Sequence, residues 1–421
     1  MAALAHHHRV LLSFTSFATP RTHLPCASSS PPPTHARLRG ARVLRHASGG
    51  GGSSSAAPVS SSSLEELSRS CTTWSWRGMR VNYLVRGEGP PVLLVHGFGA
   101  SVAHWRRNIG VLSESNTVYA IDLLGFGASD KPAGFSYTME TWAELILEFL
   151  DEVVKRPTVL VGNSVGSLAC VIAASEIPLW TTYRCFFANT QAAYLCIDRR
   201  RVQAWDYNAY NAMCALGMVN KRRSTTDRDS TRDLVRGLVL LNCSGGMNNK
   251  AIVDDWRIKL LLPLLWLIDF LLKQKSIASA LFGRVKERHV FTAWFQLPSP
   301  LPTDMVIGVQ IIRGPADTEG ALDAFVSTVT GPPGPSPIAL MPRIKIPVLV
   351  LWGDEDPFTP IDGPVGKYFS GLPSELPNVR LYMLEGVGHC PHDDRPDLVH
   401  EKLLPWLASL PSAAEPEVAV A

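Results

Sequence analysis

The stretch T-V-L-V-G-N-S-V-G-S-L-A-C, from Thr158 to Cys170, carries the reading of the fold. Val159 to Val161, after Thr158, form a short apolar run rich in β-branched residues, as a strand buried on both faces requires. Gly162-Asn163-Ser164-Val165-Gly166 follows, and then a run of small apolar residues that predicts a helix. Strand, G-x-S-x-G and helix in that order are the setting in which the motif forms a nucleophile elbow. Such a turn pushes the serine side chain out at the C-terminal end of the sheet. Gly162 and Gly166 let neighbouring backbone pass close to the strained turn. Ser164 then stands beside a helix N-terminus, whose unpaired N–H groups and positive dipole end can face a developing oxyanion.

Working outward, the same alternation continues on both sides. Thr73 to Arg86 alternates apolar and polar residues around Arg77-Gly78, which predicts a hairpin. Pro91 to Val95 is a short apolar strand running into His96-Gly97-Phe98-Gly99. A helical stretch with Trp105 and Ile109 leads to another buried strand, Thr117 to Ile121, and to the glycine-punctuated turn Asp122-Leu-Leu-Gly125-Phe-Gly127-Ala-Ser129. Thr138 to Lys155 places Trp142, Leu145, Ile146, Phe149, Leu150 and Val153 on one face of a helix. Downstream, strands are expected at 238–241, 348–351 and 379–384, with a last amphipathic helix at about 396–410. Short apolar strands alternating with helices predict an α/β fold with a mostly parallel sheet covered on both faces. Ligands of such sheets bind at the carboxyl ends of the strands.

Length and composition agree with this class. The chain has 421 residues, 46% of them hydrophobic, and a formal charge of +3. No apolar run reaches the roughly 20 residues of a membrane-spanning helix. The eight cysteines follow neither a disulfide nor a zinc spacing, which points to a reducing compartment. Residues 1–64 hold six arginines and no Asp, Glu or Lys, are rich in Ser, Thr, Pro and Ala, and end in a Gly/Ser tract. That is the composition of a disordered organelle transit peptide and linker, chloroplast rather than mitochondrial because Ser and Pro dominate. Without it the formal charge is about −3, so the basic balance belongs to targeting and gives no case for nucleic-acid binding.

Acyl transfer by serine needs a base, and an acid that holds the base in its tautomer. In this fold class the order is Ser, then Asp or Glu, then His, each after a strand. After the strand at 348–351 come Asp354, Glu355 and Asp356; Asp356, just before Pro357, is preferred over Asp354, and the remaining acids read as solvated. His389 follows the last strand in the glycine-flanked loop Gly386-Val-Gly388. His392, three residues on, is its rival and reads as exposed. The oxyanion hole would use the N–H of Val165, next to the nucleophile, and that of Phe98 in the loop after the third strand. His96 reads as a brace for that loop rather than a catalytic group.

These motifs carry a resemblance. V-H-G-F-G (95–99), D-L-L-G-F-G-A-S-D-K-P (122–132), G-N-S-V-G (162–166), W-G-D-E-D (352–356) and G-V-G-H (386–389) resemble the α/β-hydrolase superfamily. More narrowly, G-N-S-V-G-S-L-A, L-N-C-S-G-G-M-N-N-K (241–250) and T-E-G-A-L-D-A-F-V-S-T-V-T-G-P-P-G-P (318–335) resemble the plastid chlorophyll dephytylases, relatives of pheophytinase. Ser167 stands where pheophytinase-type sequences have glycine, which favours the dephytylase branch. The resemblance covers about 72–175 and 231–410. It implies an α/β-hydrolase fold with a helical lid after the sixth strand, Ser164, Asp356 and His389 as the triad, and hydrolysis of the phytyl ester of chlorophyll at thylakoids. Ser164 would attack the propionate ester carbonyl, phytol would leave with a proton from His389, and water would release chlorophyllide. That chemistry asks for no metal and no organic cofactor. The triad alone leaves another carboxylester, lipid or carbon–carbon bond hydrolase open, as well as a non-catalytic ligand-binding protein. Epoxide hydrolases and haloalkane dehalogenases are disfavoured, because they would carry an Asp at position 164.

The domain reading is therefore a transit peptide and linker at 1–64, core at 65–244, lid at 245–340, core at 341–412 and a disordered tail at 413–421. Two regions depart from the family pattern. Residues 177–230 interrupt a link that should be short, hold Cys185, Cys196 and Cys214 and show no periodicity. They read as a surface insertion or, preferably, as translated non-coding sequence, poorly ordered. The stretch 289–311, with Leu-Pro-Ser-Pro-Leu-Pro at 297–302, lacks the polar helical character expected of the lid. Trp256 to Leu272 is apolar almost all round, either a buried helix or a lid helix over an apolar pocket that also touches membrane.

Overall fold

The computed structural model describes residues 61–175, 234–247, 267–285, 310–311 and 313–411. The insertion at 177–230, the tail at 413–421, most of the transit-peptide segment and most of 256–272 and 289–311 lie outside the described residues.

Eight strands form one sheet in the order β1-β2-β4-β3-β5-β6-β7-β8. β1 (Cys71–Trp76) and β2 (Met79–Arg86) make the expected hairpin, with Arg77 at φ 51° and Gly78 at φ 82°. Two consecutive left-handed residues form the tight turn whose twist matches paired strands. β2 runs antiparallel to β4 (Thr117–Ile121), and every later pairing is parallel. β3 (Pro91–Val95), β5 (Thr158–Asn163) and β7 (Val348–Gly353) are buried along their whole length. Alternate residues feed two separate cores: Leu93, Val95, Leu160, Leu238 and Val350 pack on one face, and Val92, Leu94, Val159, Val239 and Leu349 on the other. The fold is the expected α/β-hydrolase arrangement, with 242–347 as the excursion between β6 (Val235–Leu241) and β7.

Several elements differ from expectation, each for a local reason. β6 begins at Val235 rather than 238, because Val235 and Gly237 already pair with Thr158 and Val159 of β5, and Gly237 packs against Trp406 where a larger residue would not fit easily. Helix α1 (Ser61–Arg69) takes up residues assigned to the linker; Leu64, Glu65, Glu66 and Leu67 supply helix formers there. α2 (Arg106–Leu112) follows a single 3₁₀ turn at Val102–Trp105. The helix expected over 138–155 divides into α3 (Met139–Phe149), capped by the Thr138 hydroxyl on the Thr141 amide, and a wider π turn at Leu150–Val154. Its end is set by Lys155, left-handed at φ 56°, whose amide reaches back to the Leu150 carbonyl. α4 (Val165–Ala174) runs from the serine turn through the core.

Within the excursion, α5 (Lys275–Val285), α6 (Ala321–Thr330) and a turn at Pro337–Leu340 are described. The described end of the apolar stretch, 267–272, is helical, and Leu267 and Phe270 are more than half exposed with only Leu272 buried. A buried helix does not account for that end. α7 (Pro364–Glu375), β8 (Val379–Leu384) and α8 (Pro396–Ser409) complete the sheet and its cover. No helix among the described residues is long and apolar enough to cross a membrane.

Candidate active site

Ser164 lies at φ 54°, ψ −120°, between β5 and α4. Few non-glycine residues hold that backbone conformation, which costs of the order of 1–3 kcal/mol and must be imposed by the surroundings. The imposition is visible. The Ser164 amide donates to the Leu241 carbonyl of β6, and its own carbonyl accepts from the Leu168 and Ser244 amides. A β-carbon on Gly162 would meet the Ser167 backbone at 2.6 Å, and one on Gly166 would meet the His96 carbonyl oxygen at 2.3 Å. The two glycines are therefore required by close backbone approach. Ser167 ties the turn further, its hydroxyl donating to the Gly162 carbonyl at 2.7 Å and accepting from the Leu241 amide.

The structure brings Ser164, His389 and Asp356 together. His389 Nε2 is 2.8 Å from Ser164 Oγ, and Nδ1 is 2.7 Å from Asp356 Oδ2. Asp356 is buried after β7, and burial acts to raise its pKa. The His389 ring, the Thr359 hydroxyl and the Thr359 amide outweigh burial and bring it down to about 2. An ionised carboxylate can only accept, so Nδ1 carries a proton, and in the neutral ring this leaves the Nε2 lone pair facing the Ser164 hydroxyl. That is the protonation state a general base requires.

Around Asp356 every lone pair is used. Oδ1 accepts from the Phe358 and Thr359 amides at 2.8 and 3.1 Å, and Oδ2 accepts from Asn242 Nδ2 at 2.6 Å and from the Thr359 hydroxyl. Asn242, at φ 45°, also accepts the Gly353 amide and so joins the ends of β6 and β7. Sequence reasoning missed Asn242 as a site residue. Its signal was an Asn directly after a strand, a residue that tolerates the left-handed region. Asn163, named only as part of the motif, donates to the His389 carbonyl at 3.0 Å. Asp354, read as solvated, is exposed and in addition accepts the Gly386 amide at 2.8 Å and the Val387 amide at 3.3 Å, ordering the His389 loop from its N-terminal side. His392 is the clearest correction: it is fully buried, not exposed, with its ring against Trp105.

Val165 is the first residue of α4, where an amide has no acceptor in a preceding turn. Phe98 lies in the neighbouring loop, where a β-carbon on Gly97 would fall 3.2 Å from Ser164 Cβ. His96 holds that loop as a neutral ring. Its Nε2 accepts from the Leu123 amide at 3.0 Å, so its Nδ1–H donates to the Gly97 carbonyl at 2.7 Å, and burial keeps its pKa lowered. The adjoining Asp122 loop closes on the buried Asp122 carboxylate, which accepts from the Val102 and Ala128 amides and from Asn82. Above the site, the Phe98 ring packs on Phe126 at 5.6 Å and on Phe325 of α6 at 5.9 Å. Phe325 packs on Phe282 of α5 at 5.0 Å. Phe358 lies 5.0 Å from the His389 ring.

Comparisons with known proteins agree with this architecture. The chain is 38% identical over 104 residues to 2-hydroxymuconate semialdehyde hydrolase of Pseudomonas sp. (strain CF600), a match spanning 24% of this chain and only 37% of that relative. It is 22% identical over 317 residues, 75% of this chain and 89% of the relative, to the uncharacterized hydrolase YugF of Bacillus subtilis (strain 168). Among solved structures, bromoperoxidase from Bacillus anthracis superposes with a TM-score of 0.52 at 15% identity, covering 80% of this chain and 100% of that one. The enol-lactonase from Burkholderia xenovorans LB400 gives 0.50 at 16% identity over the same shares. At such identities the likeness is one of fold. The model of the alpha/beta hydrolase family matches residues 92–402, and the chain belongs to that family.

Proposed function

We propose that the protein is a serine hydrolase of carboxylic esters with a large apolar group, acting through Ser164, His389 and Asp356. The observation that carries the reading is the hydrogen-bonded chain from the strained Ser164 hydroxyl through His389 to an Asp356 held ionised. In the first step His389 takes the Ser164 proton while Oγ attacks the ester carbonyl, and the Phe98 and Val165 amides bind the oxyanion. His389 returns the proton to the leaving alcohol, and water, deprotonated by the same ring, releases the acid. Asp356 stabilises the imidazolium without itself taking the proton. These steps need no metal or cofactor.

Two observations support an apolar substrate. The rings of Phe98, Phe325 and Phe282 form a continuous aromatic run from the oxyanion loop into the lid helices. The motifs at 241–250 and 318–335 resemble chlorophyll dephytylases, so the specific substrate proposed is the phytyl ester of chlorophyll, cleaved to chlorophyllide in the chloroplast by a protein peripherally associated with thylakoids. A long isoprenoid chain gains about 0.8 kcal/mol for each CH₂ it buries, enough for the alcohol part to dominate binding. No nucleic-acid partner is proposed.

The test uses the full chain and its Ser164→Ala variant, each incubated with a short aryl ester and with chlorophyll a in detergent. Chlorophyllide formation by the wild type alone is the expected result. Hydrolysis of the aryl ester without chlorophyllide would keep the serine mechanism and overturn the substrate. Turnover retained by Ser164→Ala would overturn the mechanism. The local match to 2-hydroxymuconate semialdehyde hydrolase favours a second reading, hydrolysis of a small semialdehyde of that kind. Under that reading 2-hydroxymuconate semialdehyde is turned over and both esters are left intact.

A further inference from the structure

Near the Ser164–His389–Asp356 chain lies a second buried polar cluster that this reaction does not use. It joins two segments: 104–108, which begins six residues after Phe98, and 391–394, which begins two residues after His389. Asn108 Nδ2 donates to the His392 carbonyl at 2.7 Å, and Arg107 Nη1 donates to the Asp393 carbonyl at 2.6 Å. The Asp393 carboxylate lies 2.8 Å from Arg106 Nη2 and 3.4 Å from His104 Nε2. His104 Nδ1 is 3.3 Å from His392 Nε2, whose ring centroid lies 4.1 Å from that of Trp105. His400 Nε2 reaches Asn108 Oδ1 at 3.1 Å. Burial acts to raise the Asp393 carboxyl, but His104 and Arg106 outweigh it and hold it well below the usual range. Burial, followed by the charge on His104, pushes His392 well below its ordinary value.

Stability alone is a poor account of this cluster. Arg106 Nε and Nη1, Trp105 Nε1 and His392 Nδ1 are buried without a hydrogen-bond partner among the described residues. A buried ion pair with polar atoms left over rarely gives net stability, and apolar packing would join the two segments as firmly. Among the described residues, no three such side chains are placed to share a metal ion. What the polar contacts supply is direction. Two successive carbonyls, of His392 and Asp393, are each bound by a side-chain donor from one short stretch, and this fixes the chain leaving His389. The chain approaching His389 is fixed by Asp354, and the His389 carbonyl by Asn163.

We propose that His104, Arg106, Arg107, Asn108, His392 and Asp393 are positioning residues that hold the His389 loop in register with the Phe98 loop, so that base and oxyanion donor face one point beside Ser164. The proposal rests on the roles assigned above to Ser164, His389 and Phe98. Misplacing a catalytic group by 1 Å can cost on the order of 100-fold in rate, so a clamp between these loops acts on kcat.

Two readouts on the full chain test it. The His389 Nδ1 proton, shared with Asp356, should give a far-downfield proton NMR resonance in the resting protein, identified by its loss in Asp356→Asn. Asn108→Ala and Asp393→Asn should shift or broaden that resonance. They should also lower kcat on a short aryl ester about 10- to 100-fold, with little change in KM. His104→Gln, which keeps a donor toward Asp393, should retain most of the turnover that His104→Ala loses. Lower melting temperatures with resonance and kcat unchanged would overturn the proposal and leave the cluster a purely structural feature. If Asp393→Asn fails to fold, the neutral Asn108→Ala decides by the same measurements. If the wild type hydrolyses no ester, the reaction has been misassigned, and the resonance then decides the positioning claim by itself.

Discussion

Ser164 is held in a backbone conformation its own side chain disfavours, and the cost is met by neighbours rather than by the residue. Asp356 shows the same dependence in its electrostatics. Its carboxyl has an ordinary value of 3.8 and stands at about 2 in the folded protein. A depressed acid contributes stability that is fully present above the unfolded value and is lost as pH falls through the folded one. Asp356 should therefore contribute about 2 kcal/mol above pH ~4, disappearing between pH ~4 and ~2. Denaturant unfolding at a series of pH values should show that acid limb flattened in Asp356→Asn. The same variant should lower kcat by something on the order of 10⁴, because an amide no longer enforces the Nδ1–H tautomer. Asn242→Ala removes one of the donors on the Asp356 carboxylate. A loss of about 1–3 kcal/mol in stability is expected, together with reduced kcat at unchanged KM.

At the scale of elements, the serine turn works because β5, α4 and the His96 loop approach more closely than side chains permit. Gly166→Ala places a β-carbon against the His96 carbonyl, and one of the two segments must move. Overpacking of this kind costs about 1–3 kcal/mol. Here it should also displace the Phe98 loop, so kcat should fall more than stability; urea unfolding and ester kinetics on one preparation would separate the two. Most elements were legible because their patterns are local. β3, β4 and β8 have the bounds their apolar runs suggest, and the Arg77-Gly78 turn follows from its glycine. β6 was read short because Arg236 and Gly237 interrupt its apolar run, whereas the packing of Trp406 on Gly237 is a contact over a long sequence separation. His392 was misread for the same reason: its burial depends on Trp105, His104 and Asn108, nearly three hundred residues away.

At the scale of the molecule, the proposed function puts the chemistry at the ends of the sheet strands and substrate selection in the excursion between β6 and β7. Phe325 links them, since its ring meets both Phe98 of the core and Phe282 of α5. Removing it should cost about 1.5–3 kcal/mol of apolar contact for a ligand that fills the lid. Phe325→Ala should then raise KM roughly 10- to 100-fold for a long-chain aryl ester while leaving a short-chain ester nearly unaffected. A chain-length series measured on wild type and variant checks this, and parallel losses across the series would place Phe325 outside the binding path.

The sequence by itself determined the parallel sheet, the position of the elbow and the identity of Ser164, Asp356 and His389 as candidates, because strand ends and glycine spacing are written in consecutive residues. Only the tertiary structure decided which groups hold them: Asn242 and Thr359 on Asp356, Asp354 and Asn163 on the His389 loop, and the His104–Asp393 cluster behind it. Those contacts join segments brought together by strand order, and strand order is a property of the folded sheet that no local pattern encodes.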